Sequence, residues 1–362
     1  MIKLAIIGTR GIPASYSGFE TSVEETAIRL VELNCDTTVY CRLNYYKIRP
    51  KTYKGVNLVH LPSIKTKYLD TISHTFLTLL HLFRKKYNNV IIYGIGNAIF
   101  IPFIRMFISN IIIVVDGADW ERKKWNVIAK KYFIINRFIA TRFSNAYVVD
   151  NEKLLYDYRK KYSGNGFFIS YGANKIKEYN PNYLQTYDLI KNQYLIFIGR
   201  FVKEKNIEFL IENFKKLETN IKLLIIGGND IDGLYCEKIK SLKNQNIIIP
   251  GFVYGDIYET LLYDALFYVS CSLLEGTSPS LLSAMSINGF AIVSDLDENK
   301  ETLKGSCETY NQGNGKDFRD KVMHFINHPE LIEKEKEKTK EIINNHYNWE
   351  SIAKQYYDLF KI

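Results

Sequence analysis

Residues Tyr194 to Asn206 read Y-L-I-F-I-G-R-F-V-K-E-K-N. An apolar run closed by Gly199 predicts a strand covered on both faces, the pattern of a parallel sheet between helical layers. Arg200 and Lys205 follow at once, where the chain leaves the carboxyl end of that strand. Ligands of open α/β sheets bind at those ends, so the two cations are candidate clamps for an anionic group. Arginine offers a planar fork of donors and lysine a compact charge, a combination suited to a diphosphate.

The same pattern recurs in both directions. Upstream, K-L-A-I-I-G, T-T-V-Y-C, V-N-L-V-H, V-I-I-Y-G, I-I-I-V-V-D, A-Y-V-V-D and F-F-I-S-Y alternate with helix-length amphipathic segments. Downstream, K-L-L-I-I-G, N-I-I-I-P, L-F-Y-V-S and F-A-I-V-S do the same. A break near 172–193, with G-A-N and Y-N-P-N, separates the two series. The expectation is an α/β protein of two Rossmann-like doubly wound parallel-sheet domains facing a central cleft. Its length of 362 residues suits two ordinary domains.

Bulk properties narrow the class. With 46% hydrophobic and 24% charged residues the chain is globular. Cys35, Cys41, Cys236, Cys271 and Cys307 form neither a C-x-x-C pair nor a zinc spacing, which predicts reduced thiols and a cytoplasmic location. Met1 runs directly into a strand, with no signal peptide in view. The apolar run Ile95–Val115 contains Asn97, Pro102, Arg105 and Asn110, and reads as a buried helix followed by a central strand. Residues 1–170 carry 25 Lys and Arg against 12 Asp and Glu, a net of +13, while the remainder nets −4. That asymmetry is either solvated surface or attraction to an anionic partner such as phosphate or a membrane face. No nucleic-acid partner is expected.

Residues 272–290, S-L-L-E-G-T-S-P-S-L-L-S-A-M-S-I-N-G-F, add the other half of a site. Ser278 can cap a helix, Pro279 suits its first position and Gly289 its end. The helix N-terminus would bring partial positive charge to the same volume as Arg200 and Lys205. Two cations and a helix terminus describe a site for an anionic leaving group. In the first half the loop G-T-R-G-I-P-A-S-Y-S-G-F-E-T, Gly8 to Thr21, lacks the G-x-G-x-x-G dinucleotide spacing. Gly11 and Gly18 either make the turn or let the backbone approach a ligand.

These motifs, in this order and over nearly the whole chain, resemble retaining glycosyltransferases of family 4, and within it the bacterial rhamnosyltransferase branch. Arg200 and Lys205 match its Arg-x4-Lys pair, and Glu275, Gly276, Ala284 and Met285 match its E-G-x-x-x-P-x-x-E-A-M motif, with Pro279 one place early. The opening loop, D-G-A-D-W-E-R-K-K-W from Asp116 to Trp125, Y-G-A-N from Tyr171 to Asn174, and Asn299-Lys300-Glu301 match further motifs. The resemblance implies a GT-B fold with an acceptor-side domain over 1–172, a nucleotide-sugar domain over 173–345, and a terminal helix, 346–362, crossing back to the first. It implies that a hexose, L-rhamnose or similar, passes from a nucleoside diphosphate to a saccharide or lipid-linked saccharide acceptor, as in capsule or O-antigen synthesis. Arg200, Lys205, Gly276, Thr277 and Ser278 would hold the diphosphate, and Gly18, with Gly11, would let the first-half loop cover it. Glu275 would bind hydroxyls of the donor sugar, and Asp116 would contact the sugar or acceptor at the reacting carbon. No cofactor or metal is implied. Asp230 with Asp232 and Asp295 with Asp297 read as loop aspartates. His74 and His81 read as core or rim.

Two departures stand out. Asp119 replaces a glutamate, and Ser283 replaces the second glutamate of the motif, which in the family grips the ribose diol. A serine offers one neutral partner where a carboxylate accepts from both hydroxyls. A deoxyribose donor such as dTDP-rhamnose, rather than a UDP-sugar, would suit it, and so would a degraded site. From Glu121 to Phe143 lysines and arginines alternate with aromatics, which is either ordinary packing with a basic rim or a face for an anionic membrane. A non-catalytic nucleotide-sugar-binding subunit of an assembly complex and an NAD-linked oxidoreductase are the rival readings.

Overall fold

The computed structural model describes residues 2–14, 18–66, 69–115, 127–229 and 233–361. The chain divides into two units, Met1–Tyr171 with Trp349–Ile362, and Gly172–Asn348.

The first unit is built on eight strands: β1 (Ile2–Ile7), β2 (Cys35–Arg42), β3 (Thr52–Tyr53), β4 (Val56–Leu61), β5 (Asn89–Tyr93), β6 (Asn110–Val115), β7 (Ala146–Val149) and β8 (Gly166–Phe168). They run in the order β3-β4-β2-β1-β5-β6-β7-β8. All pairings are parallel except β3 with β4, where a two-residue strand folds back at the edge. Ile91, Ile92, Ile111, Ile112, Ile113, Val148 and Val149 are fully buried, as continuous apolar strands require when helices cover both faces.

Its helices are α1 (Gly18–Glu32), α2 (Leu69–Phe83), α3 (Ile101–Ile104), α4 (Val127–Phe143) and α5 (Glu152–Lys161), joined by α14 (Trp349–Asp358). The connection from β1 to β2 moves one way along the sheet and those from β4 to β8 move the other. Right-handed crossovers therefore place α1 on one face and α2 to α5 on the other. α14 packs beside α1, where Arg29 bonds Glu350 and Asn110 reaches the Leu359 carbonyl. The run Ile95–Val115 forms a short 3-10 segment, α3 and then β6. Among the described residues no helix is long and apolar enough to cross a membrane.

The second unit has six parallel strands: β9 (Tyr194–Arg200), β10 (Lys222–Gly228), β11 (Ile247–Gly251), β12 (Phe267–Ser270), β13 (Ala291–Ser294) and β14 (Glu308–Tyr310), ordered β11-β10-β9-β12-β13-β14. Around them lie α6 (Tyr183–Thr186), α7 (Ile207–Phe214), α8 (Gly233–Ser241), α9 (Gly255–Tyr263), α10 (Pro279–Ile287), α11 (Asp297–Leu303), α12 (Gly315–Asn327) and α13 (Pro329–His346). Leu195, Phe197, Leu223, Ile225, Phe267 and Phe290 lie in one buried core. Close approach at the carboxyl ends of the neighbouring strands β9 and β10 demands glycine. A Cβ on Gly227 would stand 1.8 Å from the Gly199 carbonyl oxygen, and Gly227 adopts φ +146°.

Candidate active site

The strand order explains which loops meet in the second unit. β9 and β12 are neighbours, paired at Leu195 with Phe267 and Ile196 with Tyr268, so the segments that leave them emerge side by side. The first is the turn Lys203–Lys205 and the second is the loop before α10. The backbone N–H of Leu273 donates to the Glu204 carbonyl at 2.8 Å and ties them together. Alongside it, Lys205 Nζ pairs with Glu275 Oε1. These side chains are 15% and 10% exposed, so the pair is mostly withdrawn from water and still reachable.

Ser272 organises the loop. Its hydroxyl donates to Glu275 Oε1 at 2.7 Å and lies 3.1 Å from the Ser270 hydroxyl. Its carbonyl accepts from Ser294 Oγ at 2.8 Å and from Gln312 Nε2 at 3.2 Å. Three successive strand ends are thus bound to one residue, which fixes the Glu275 carboxylate in place. Buried Asn299 donates to the Ser294 carbonyl at 2.8 Å, so this motif residue props the end of β13. Buried Tyr268 has its hydroxyl pushed well up, first by burial and then by the charge of Glu275, and stays a neutral phenol. Burial likewise pushes the Cys271 thiol up to about 12.

Ser278 caps α10, accepting from the Leu281 N–H at 3.4 Å, and Pro279 follows at the first position, where its missing N–H costs nothing. Gly276 is half-buried, and Thr277 and Ser278 are buried in the approach to that helix. Gly289, at φ +92°, ends it through a bond to the Ala284 carbonyl. Arg200 is exposed at the last position of β9, and among the described residues no ion pair engages it. Ser283 lies half-buried on α10 near the Tyr258 hydroxyl of α9, whose pKa burial raises and Ser283 lowers. Position 283 is therefore occupied by a serine–tyrosine pair, and Tyr258 has no signal in the sequence.

Of the residues singled out in the sequence, the structure brings Lys205 and Glu275 into contact and sets Arg200 and the capped end of α10 at the same sheet edge. Gly11 and Gly18 belong to the first unit. Gly11 is buried at φ +110°, and a Cβ there would meet Cys41 Sγ at 2.4 Å, so packing alone requires a glycine. Gly18 opens α1, whose carboxylates fasten the loop before it. Glu20 accepts from the Arg10 N–H at 3.1 Å and Glu24 from the Ala14 N–H at 2.7 Å. Asp116, Asp119, Asp230, Asp232 and the 121–126 part of the basic segment lie outside the described residues. Asp295 accepts from the Gln312 N–H at 2.9 Å and faces Lys300. Among the described residues no three His, Cys, Asp or Glu side chains are grouped to hold a metal ion. His81 Nδ1 lies 2.9 Å from the Tyr40 hydroxyl, whereas His74 is fully buried.

Two parallel-sheet α/β units of this kind, the second with a cationic strand end beside a capped helix, define the GT-B class of fold. Residues 188–349 match the family model of glycosyl transferases group 1, and the second unit accordingly carries that domain. Residues 1–174 match a domain of unknown function, DUF1972. No curated protein matches the chain. Among solved structures, sucrose-phosphate synthase from Thermosynechococcus elongatus aligns with TM-score 0.83 at 15% identity, covering 100% of this chain and 98% of that one. HepE of Anabaena, in complex with UDP and glucose, aligns with TM-score 0.79 at 11% identity, covering 100% of both chains. An E. coli trehalose-6-phosphate structure bound with UDP-2-fluoro glucose aligns with TM-score 0.75 at 9% identity, covering 99% of both. At these identities the likeness is one of fold.

Proposed function

We propose that the protein is a retaining glycosyltransferase that moves a hexose, L-rhamnose or a similar sugar, from a nucleoside-diphosphate donor to a saccharide or lipid-linked saccharide acceptor in surface polysaccharide synthesis. The observation that carries this reading is the Lys205–Glu275 pair held by Ser272 beside the capped start of α10, within a glycosyl transferases group 1 domain.

In this reading Arg200 and Lys205 bind the donor diphosphate, with the backbone from Gly276 to Ser278 and the dipole of α10 adding positive charge. The bond between the sugar C1 and the phosphate oxygen breaks, and its electron pair leaves on the diphosphate. An acceptor hydroxyl oxygen bonds to C1 on the same face and its proton passes to a phosphate oxygen. Positive charge placed where the leaving group develops negative charge is the main source of rate. These cations do the work a metal ion would otherwise do, so the donor is used without one. Glu275, turned from Lys205 when the phosphate arrives, accepts hydrogen bonds from donor-sugar hydroxyls. Asp116 contacts the sugar or acceptor near C1. The Ser283–Tyr258 pair faces the ribose and favours a deoxyribose donor such as dTDP-rhamnose over a UDP-sugar.

The test is thermal stabilisation by a panel of dTDP-, UDP- and GDP-sugars, followed by transfer to a saccharide acceptor with the donors that bind. Stabilisation by a nucleotide sugar, with nucleoside diphosphate released during transfer, is the expected result. Absence of stabilisation by every member of the panel would sink the proposal.

A further inference from the structure

Helices α2 and α4 of the first unit pack Leu82, Phe133 and Ala140 into the core, yet both also bury polar side chains and turn large apolar ones outward. A helix covering a sheet ordinarily points its apolar stripe inward and its polar face to water. In α2 the fully buried positions include His74, Thr75 and Thr78, while Phe76 and Phe83 face outward, Phe83 at 73% exposure. In α4 Asn136, Arg137 and Thr141 are buried, while Ile134 and Phe138 are 50% and 56% exposed. Between them Phe103 of α3 and Met106 just after it stand out, Met106 at 82% exposure. The Phe83 and Phe107 rings meet edge to face at 5.5 Å, so the outward faces of α2 and α3 are continuous, and α3 packs in turn against α4. A contiguous apolar face of this kind marks an interaction surface.

The charge at its edges identifies the partner. Arg84, Lys85 and Lys86 follow α2, Arg105 follows α3, and Lys131 lies on α4, all exposed. Across 69–115 and 127–143 the single acidic residue is Asp70, which pairs with Arg42 at 2.6 Å. Exposed aromatic and aliphatic side chains rimmed by cations, with no exposed carboxylate among the described residues of 71–115 and 127–143, complement a surface that is apolar inside and anionic at its rim.

We infer that the outer face of α2, α3 and α4 is a docking surface for an anionic lipid bilayer, with Phe76, Phe83, Phe103, Met106, Ile134 and Phe138 entering the acyl boundary and the flanking Lys and Arg held at the headgroups. The surface is assembled from three helices, and α4 (127–143) supplies only one edge of it. It stands on the first unit alone, whereas the diphosphate site proposed above stands on the second.

The experiment is co-sedimentation of the full chain with phosphatidylglycerol–phosphatidylcholine vesicles and with pure phosphatidylcholine vesicles, at low and high salt. The wild type partitions onto the anionic vesicles at low salt, and more weakly onto neutral ones. A double variant, Phe83→Glu with Met106→Glu, loses that binding by about tenfold or more, since both side chains leave the acyl boundary. Its melting temperature and its stabilisation by nucleotide sugars stay as in the wild type. Equal partition of the variant and wild type overturns the inference, as does failure of the wild type to bind anionic vesicles at low salt. So does a wild-type dimer in vesicle-free solution that the double variant dissociates, because the face then belongs to a second copy. Loss of nucleotide-sugar stabilisation with vesicle binding intact counts against the proposed function only.

Discussion

Lys205 and Glu275 stand 70 residues apart in sequence and meet as an ion pair at the carboxyl edge of the second sheet. Lys205 arrives from β9 and Glu275 from the neighbouring β12, and Ser272 holds the carboxylate from its other side. Removing one partner leaves a charge in a site that water reaches poorly. Lys205→Met or Glu275→Gln alone should cost on the order of 2 kcal/mol, and the double variant less than their sum. Urea denaturation of the four proteins checks this, and strict additivity would refute the coupling.

Arg200 behaves differently, because it is exposed and no described residue pairs with it. Arg200→Ala should leave the melting temperature nearly unchanged, as surface substitutions shift stability by about 0.5 kcal/mol or less. Transfer should fall by about a hundredfold or more, the loss seen when a preorganised electrostatic contact to the leaving group is removed. A steady-state assay decides it, and a variant with full turnover would take Arg200 out of the site.

The pairing of Ser283 with Tyr258 predicts how nucleotide preference changes. Ser283→Glu should raise affinity for UDP relative to dTDP by about tenfold, the worth of one added charge-assisted hydrogen bond. Tyr258→Phe should weaken both nucleotides or neither. Calorimetric titration of the two diphosphates gives the answer, and an unchanged ratio in Ser283→Glu would place position 283 away from the ribose.

His74 gives the first unit a dependence on pH. Burial foremost, and then the charge of Arg42, lowers its pKa to about 4, with Asp70 opposing. The folded chain therefore keeps the imidazole neutral while the unfolded chain takes up a proton below its ordinary value of about 6.5. More protons bind to the unfolded state in that window, so stability from this group is full above pH 6.5 and falls as pH drops towards 4. The loss should approach on the order of 3 kcal/mol at the lower limit. His74→Leu should flatten the fall of melting temperature between neutral pH and pH 5, and an unchanged slope would exclude His74 as its source.

The sheets were legible strand by strand because buried parallel strands are written as unbroken apolar runs. β3 and β14 were not, being two and three residues long with sequences T-Y and E-T-Y that carry no such run. The cations and Glu275 showed in the sequence as candidates on loops. The bond from Leu273 to Glu204 and the role of Ser272 did not, because they depend on which strands are neighbours. For α2 and α4 the sequence did not show which side chains the sheet would cover. Thr75, Thr78 and Thr141 are buried while Phe76, Phe83 and Phe138 are exposed, although Phe133 lies in the core. Glycines were the most ambiguous. Gly11 is explained by Cys41 and Gly227 by the backbone of Gly199, two close approaches that spacing does not reveal.

The membership of α14 in the first unit sets an order of events during synthesis. On the ribosome the first sheet emerges early, yet Asn110 bonds to the Leu359 carbonyl and Arg29 to Glu350, residues made only after all of the second unit. The nascent chain must carry an unfinished first unit, its α1 side uncovered, through translation of 172–348. A stop codon near position 349 would leave the second unit intact and the first permanently open, a form that proteases and chaperones would meet before any substrate did.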